Sequence, residues 1–295
     1  MNDHPANAAA RARRAALPPH NDFDIVALAT LPPYWGWVEA QAAPRIAFRM
    51  FLGGNDDGVA LRLFWNGGYE PKTLALWSRL ARNARLALDI GAHTGVYTLA
   101  ARAANPGIDV LSFEPHAMNY ARLLLNLRAN GFETRDAYMI GVGAMDAMRP
   151  FTVRTQAEYL STGGAFDAVG GGVTNDLRTV ALDSFLPDAV AGAVGLIKLD
   201  VEGYEAACLS GMGRLIERAR PSIVFECTHE TSARALERTL GGLGYRFFDI
   251  DDGDETARET TTLRPVLNAD GSPVMARLNR IAAANDDDIA ATLNG

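Results

Sequence analysis

The stretch Leu86-Ala-Leu-Asp-Ile-Gly-Ala-His-Thr-Gly-Val-Tyr-Thr-Leu99 constrains this chain more than any other. An apolar run ends on Asp89 and then turns, through Gly91 and Gly95, into residues with helical spacing. Glycine allows backbone to pass through left-handed conformations and to approach a neighbour with no Cβ in the way. A helix opening at about Thr94 would leave free N–H groups facing whatever lies over the turn. The stretch therefore calls for a strand, a tight turn and a helix, the founding unit of an open α/β sheet. Its spacing, Gly-x-x-x-Gly, meets neither the dinucleotide pattern Gly-x-Gly-x-x-Gly nor the phosphate-loop pattern, so a diphosphate ligand is disfavoured.

An acid at the end of the first strand points instead to a ligand with cationic groups, such as the amino group and sulfonium of S-adenosylmethionine. About 20 residues on, where a βαβ nucleotide site places its ribose-binding acid, the run Ile108 to Phe113 ends in Glu114-Pro115. The strand-like run from Gly195 ends in Asp200 and continues as Val201-Glu202-Gly203-Tyr204-Glu205. A further run from Pro221 ends in Glu226, with His229 close behind. Ligands of open α/β sheets bind outside the carboxyl ends of the strands, so acids at those ends converge on one molecule. A single such acid is ordinarily a helix cap or a solvated loop charge. Recurrence at four strand ends is hard to explain that way.

At these residues the chain resembles the FkbM family of S-adenosylmethionine-dependent methyltransferases. The matching stretches are Asp89 to Leu99, Phe113-Glu-Pro115 followed by Asn126 and Asn130, Val180 to Phe185, Ile197 to Glu205, and Val224-Phe-Glu226, in that order. They span roughly Gly68 to Asp251. The resemblance implies a class I methyltransferase fold, which is α/β with a doubly wound, mostly parallel seven-stranded sheet. It also implies S-adenosylmethionine as methyl donor and a hydroxyl oxygen as the usual acceptor, here a small molecule or a glycan. Carried onto this chain, the cofactor-binding residues are Asp89, Gly91, Ala92, His93, Thr94, Gly95, Glu114, Pro115, Val142 and Asp200. Val142 enters because Gly141-Val142-Gly143 stands where many such enzymes have an adenine-binding acid; Asp146 is the nearest carboxylate, and backbone carbonyls are the substitute.

The chain divides into a disordered tail over 1–20, a cap over 21–84 and a cofactor-binding domain over 85–295. The cap is rich in aromatics and is expected to be helical around Trp35 to Gln41 and around Lys72 to Ala84, the second helix following Asn66-Gly-Gly-Tyr-Glu70. In the domain, strands are expected at Leu86 to Ile90, Asp109 to Phe113, Ala137 to Val142, Leu196 to Leu199, Ile223 to Phe225 and Arg246 to Ile250. Helices are expected from about Thr94, Met118, Glu202 and Thr231, and the resemblance implies a last antiparallel strand within Val274 to Ala284. Residues 150–182 interrupt the alternation as a hairpin around the glycine-rich loop Ser161 to Gly172, which is either surface disorder or a mobile lid.

With 48% hydrophobic residues over 295, the chain can bury a sizeable core. A net charge of −7 argues against sequence-independent nucleic-acid binding. The apolar runs are strand-sized, so no membrane span is visible. Cys208 and Cys227 are too few for a disulfide framework and read as buried thiols of a cytoplasmic protein; no metal site is expected. The sequence leaves the oligomeric state open.

Methyl transfer to a hydroxyl needs an in-line approach and a group to take the proton. His229 is the first candidate, because an imidazole titrates in the right range; Asp200 is the rival, and Glu226 would shape the charge around them. His93, inside the glycine turn, is placed to meet the cofactor's carboxylate, and His116 the adenine edge. Two other classes remain open: a nicotinamide-dependent oxidoreductase with Glu114 on the ribose, and a binding module without turnover.

Overall fold

The computed structural model describes residues 4–153, 164–167 and 172–293. The N-terminal part comprises α1 (Asn7–Ala15), α2 (Ile25–Ala29), β1 (Tyr34–Ala43), β2 (Ile46–Gly54), α3 (Gly58–Trp65) and α4 (Pro71–Ala81). Two expectations need correction here. Of the residues expected as a disordered tail, Asn7–Ala15 form α1, anchored where the Asn7 side chain and the Trp35 backbone exchange hydrogen bonds of 2.8 Å in each direction. Arg14 holds the helix end by donating to the carbonyls of Phe64, Pro18 and Pro19. The helix expected at Trp35 to Gln41 is a strand, and the cap is a long antiparallel hairpin with helices around it. Alanine content suggests helix, but Val38, Ala40 and Ala42 are buried while Glu39 and Gln41 are exposed, a period of two that belongs to a strand.

The following domain runs β3 (Leu86–Ile90), α5 (Val96–Ala104), β4 (Asp109–Phe113), α6 (Ala117–Ala129), β5 (Ala137–Tyr138), β6 (Gly141–Val142), β7 (Ala147–Val153), β8 (Gly164–Phe166) and β9 (Val173–Val180). It continues through α7 (Leu182–Phe185), α8 (Asp188–Ala191), β10 (Val194–Leu199), α9 (Glu205–Ser210), α10 (Gly213–Ala219), β11 (Ser222–Glu226), α11 (Glu230–Gly242), β12 (Arg246–Asp251), β13 (Thr256–Thr260), β14 (Asn279–Ala283) and α12 (Asp286–Leu293). The main sheet has the order β13-β12-β14-β11-β10-β3-β4-β5. Strands β5, β4, β3, β10 and β11 are mutually parallel, and β14 enters antiparallel between β11 and β12. The sheet therefore has eight strands rather than seven, because the chain folds back after β12 to add β13 at the edge.

The third expected strand is divided. Ala137 and Tyr138 pair with β4, whereas Gly141 and Val142 pair with β9 in a separate four-stranded sheet of order β6-β9-β7-β8. Strands β7 and β9 of this second sheet overlap the residues expected as a hairpin, 150–182, and β6 joins them from before that range; most of the loop Ser161 to Gly172 lies outside the described residues. The single helix expected after Asp200 is broken at Gly211, where a Cβ would lie 1.9 Å from the Gly143 carbonyl oxygen. No helix among the described residues is long and apolar enough to cross a membrane.

A ladder of side chains joins cap to domain. Arg122, Asn126 and Asn130 are spaced i, i+4 on α6, about 6 Å per step along the axis, against about 6.6 Å for each pair of residues on a strand. They meet the free edge of β2: Arg122 donates to the Phe51 carbonyl, Asn126 Oδ1 accepts from Phe51 N at 2.9 Å, and Asn130 exchanges bonds with both backbone groups of Arg49. Asn126 Nδ2 in turn donates to the Thr94 carbonyl at 2.8 Å, so one buried amide joins β2 to the glycine turn. Removing it in Asn126→Ala strands two backbone groups at about 1–3 kcal/mol each. Urea unfolding should show a loss of about 2–5 kcal/mol, against under ~1 kcal/mol for the more exposed Asn130→Ala.

Candidate active site

The glycine turn is held from three sides. Gly91 N and Ala92 N donate to the Phe113 carbonyl at 2.9 and 3.0 Å, and Asp200 N donates to the Ile90 carbonyl at 3.0 Å. Gly91 sits at φ +80°, and a Cβ there would lie 1.8 Å from the Asp200 backbone oxygen. Gly95 sits at φ +100°, where a Cβ would come within 2.5 Å of Leu123. Both glycines are thus required by the packing of β10 and α6 against the turn, in addition to any ligand. The helix begins at Val96, leaving His93, at φ 50°, and Thr94 in the turn itself.

Glu114, only 5% exposed, bridges the ends of β3 and β4: its carboxylate accepts from His93 N and from His116 N, each at 2.8 Å. Burial pushes the carboxyl up to about 7, opposed by these N–H groups and by the Asn119 side chain. Around it, His93 Nε2, His116 Nδ1 and Asn119 Oδ1 are buried without a hydrogen-bond partner among the described residues. Unpaired buried polar atoms are costly, and this set, beside a carboxylate at a strand end, fits a ligand with ribose hydroxyls and further polar groups. Pro115 lies between Glu114 and His116 in the segment that joins β4 to α6.

Two expected cofactor residues are placed differently. Asp89 is 1% exposed, and its Oδ2 accepts from Thr98 N at 2.9 Å and Thr98 Oγ1 at 2.6 Å, fastening α5 to β3. Burial pushes it up to about 6, with the Thr98 bonds opposing. Val142 is buried in the second sheet, and its carbonyl accepts from the Cys208 thiol. Asp146 binds Ala181 N and Ser184 instead of reaching toward an adenine.

Beside the turn, the carboxyl ends of β10 and β11 enclose a cation. Lys198 is fully buried, with Nζ 3.0 Å from Asp200 Oδ2, 3.3 Å from Asn279 Oδ1 on β14, and over the Tyr97 ring at 4.7 Å. Glu70, at the left-handed φ of 43° before α4, accepts from the Tyr97 hydroxyl. Burial raises Glu70, with Lys198 opposing. Glu226 is raised well above the carboxylate range, by burial first and then by the charge of Asp200, with Lys198 opposing. Tyr69, next to Glu70 in the chain, is raised by burial and then by the charges of Glu70, Asp200 and Glu226.

Sequence reasoning found Asp200 and Glu226 but missed Tyr69, Glu70, Tyr97, Lys198 and Asn279. The available signal was Lys198 itself, the lone charge within the apolar run Gly195 to Leu199. A buried lysine needs partners. His229, by contrast, is exposed at the start of α11, with Nδ1 2.9 Å from Thr228 Oγ1 and its ring against Gly203. Glu205 is 1% exposed and holds the neighbouring turn, accepting from Gly203 N at 2.9 Å and Ser232 Oγ at 2.6 Å.

The sheet order, the antiparallel β14 and the acid-rimmed glycine turn define a class I methyltransferase fold. The methyltransferase FkbM domain matches residues 89–247, more than half of the chain, and the protein belongs to that family, whose cofactor is S-adenosylmethionine. Solved structures with similar folds include a methyltransferase FkbM from Methylobacillus flagellatus KT, with 15% identity, a TM-score of 0.40, and coverage of 77% of this chain and 55% of that one. The chain thus spans about half the length of that protein. Another is the tRNA (uracil-54, C5)-methyltransferase of Pyrococcus abyssi in complex with S-adenosyl-L-homocysteine, with 13% identity, a TM-score of 0.42, and coverage of 89% and 48%. A SAM-dependent O-methyltransferase from Thermotoga maritima gives 14%, 0.37, and coverage of 74% and 66%. No curated protein matches.

Proposed function

We propose that the protein transfers a methyl group from S-adenosylmethionine to a hydroxyl of a small molecule or glycan. The observation that carries this reading is the cluster of Asp200, Glu226 and Glu70 around buried Lys198, directly beside the turn that Glu114 closes. Several carboxylates in one partly enclosed place suit an acceptor with several hydroxyls to donate, and an acidic site suits the cationic end of the donor.

S-adenosylmethionine supplies an electrophilic methyl on a sulfonium. The chain's part is to bind it, to hold the acceptor oxygen in line at about 3 Å, and to take its proton. Gly91 to Gly95, with Glu114, would hold the donor. Glu226 is the proposed proton acceptor: burial and the charge of Asp200 make it more basic than an ordinary carboxylate. Lys198 pairs with Asp200 at 3.0 Å, and the Asp200 charge keeps Glu226 basic. His229, on the exposed rim, is assigned to steering the acceptor rather than to the proton.

The test is to incubate the purified protein and S-adenosylmethionine with an extract of the source cell and to look by mass spectrometry for products heavier by one CH2. A product whose added methyl is lost as methanol-type oxygen fragments supports the reading. Methylation confined to nitrogen or carbon would overturn the hydroxyl assignment while keeping the methyltransferase.

A further inference from the structure

The loop that follows β2 carries an acid whose burial the fold alone does not explain. Asp57 is fully buried. Its Oδ1 caps α3, accepting from Val59 N at 2.9 Å and Ala60 N at 3.2 Å, while Oδ2 has no hydrogen-bond partner among the described residues. Capping needs one side-chain oxygen, which serine or asparagine supplies without a charge. A second, anionic oxygen buried without a partner is costly and calls for an occupant.

Across from this loop, the imidazole of His93 is in the same condition. Its Nδ1 lies 3.1 Å from Thr94 Oγ1, and its Nε2 is buried with no partner. Burial lowers its pKa, and of the charges around it Asp57 opposes that effect most strongly, ahead of Asp200. In the tautomer where the Thr94 hydroxyl donates into Nδ1, the neutral ring carries its proton on Nε2. The two groups are held in place by the α6 ladder. Arg122 donates to the Phe51 carbonyl and pairs with Asp56 at 2.8 Å, and Asn126 links Phe51 to Thr94. The cap loop and the glycine turn, tied to successive turns of α6, thus each present a buried polar atom with no partner among the described residues, Asp57 Oδ2 and His93 Nε2.

We propose that Asp57 and His93 together clamp the amino-acid end of the methyl donor, the α-ammonium donating to Asp57 Oδ2 and the α-carboxylate accepting from His93 Nε2–H. A zwitterion's ammonium and carboxylate satisfy both groups at once, each with a charge-assisted hydrogen bond. The cap then belongs to the cofactor site as well as to the acceptor side, and Asp57 is one of its binding residues. This inference rests on the methyltransferase reading.

Two probes separate the parts. S-adenosylhomocysteine carries the amino-acid end; 5′-methylthioadenosine has the same adenosine and thioether without it. Asp57→Asn keeps the capping oxygen and removes the charge, and His93→Asn suits the left-handed backbone at that position. By calorimetry each variant should bind S-adenosylhomocysteine about tenfold or more weakly, with affinity for 5′-methylthioadenosine unchanged. The melting temperature without ligand shows that the fold is kept. If both probes weaken together, or neither does, the clamp is wrong and Asp57 serves α3 alone. If wild-type protein binds neither probe, the cofactor assignment falls, and the clamp with it.

Discussion

The Glu114→Gln protein is expected to bind S-adenosylhomocysteine at least a hundredfold more weakly than the wild type. A ribose diol donating to one carboxylate makes two charge-assisted bonds, each worth about 1.5–3 kcal/mol, and the loss of about 3 kcal/mol alone gives that factor. Glutamine also turns an NH2 toward one of the two backbone N–H groups, of His93 or His116, that now donate to the carboxylate. Because burial lifts Glu114 to about 7, and only its ionised form accepts from both hydroxyls, wild-type affinity should rise with pH through about 7. That rise should vanish in the variant. Stability carries the opposite sign. A raised carboxyl contributes stability in acid that is lost as pH climbs through its folded value, so unliganded wild type should lose more melting temperature toward pH 8 than Glu114→Gln does. An affinity within threefold of wild type would remove Glu114 from the ribose.

Substituting Glu226 by glutamine should lower turnover about a hundredfold or more while donor affinity is kept, since a general base contributes at least that much. The wild-type rate should decline as pH falls through the raised value of Glu226, and the variant should lack that limb. His229→Gln should retain turnover within about tenfold. The same Glu226→Gln change removes a buried like charge beside Asp200, so it should stabilise the protein at alkaline pH and lose this advantage in acid. A collapse of turnover in His229→Gln, with Glu226→Gln active, would move the proton to the imidazole.

The sheet was legible because strands between helices are short apolar runs with sharp ends: β3 and β4 begin and end where the sequence puts them, and β14 falls inside the segment that the resemblance implies. The hairpin was not. Its alanines are compatible with helix, and only pairing with β2 makes their alternate burial count. Glu114 could be located because it ends a strand at a fixed distance from the glycine turn. Glu70, Tyr97 and Asn279 come from a helix entrance, a helix flank and the start of β14, and nothing local in the chain says that they surround Lys198. The purposes of Asn126 and Asn130 were hidden for the same reason: the strand edge they complete lies 75 and 81 residues away.

The place of β14 has a consequence for how the molecule is made. It is an interior strand, bonded on one side to β11 and on the other to β12, yet it is synthesised after both. A growing chain on the ribosome must hold an open slot in its sheet until β14 emerges, with two unpaired strand edges exposed in the interval. Asn279, at the start of β14, is also a hydrogen-bond partner of the buried Lys198 ammonium. Chains released short of that residue would leave the slot unfilled and the lysine lacking that partner, so incomplete translation products should be inactive and prone to aggregate rather than partly functional.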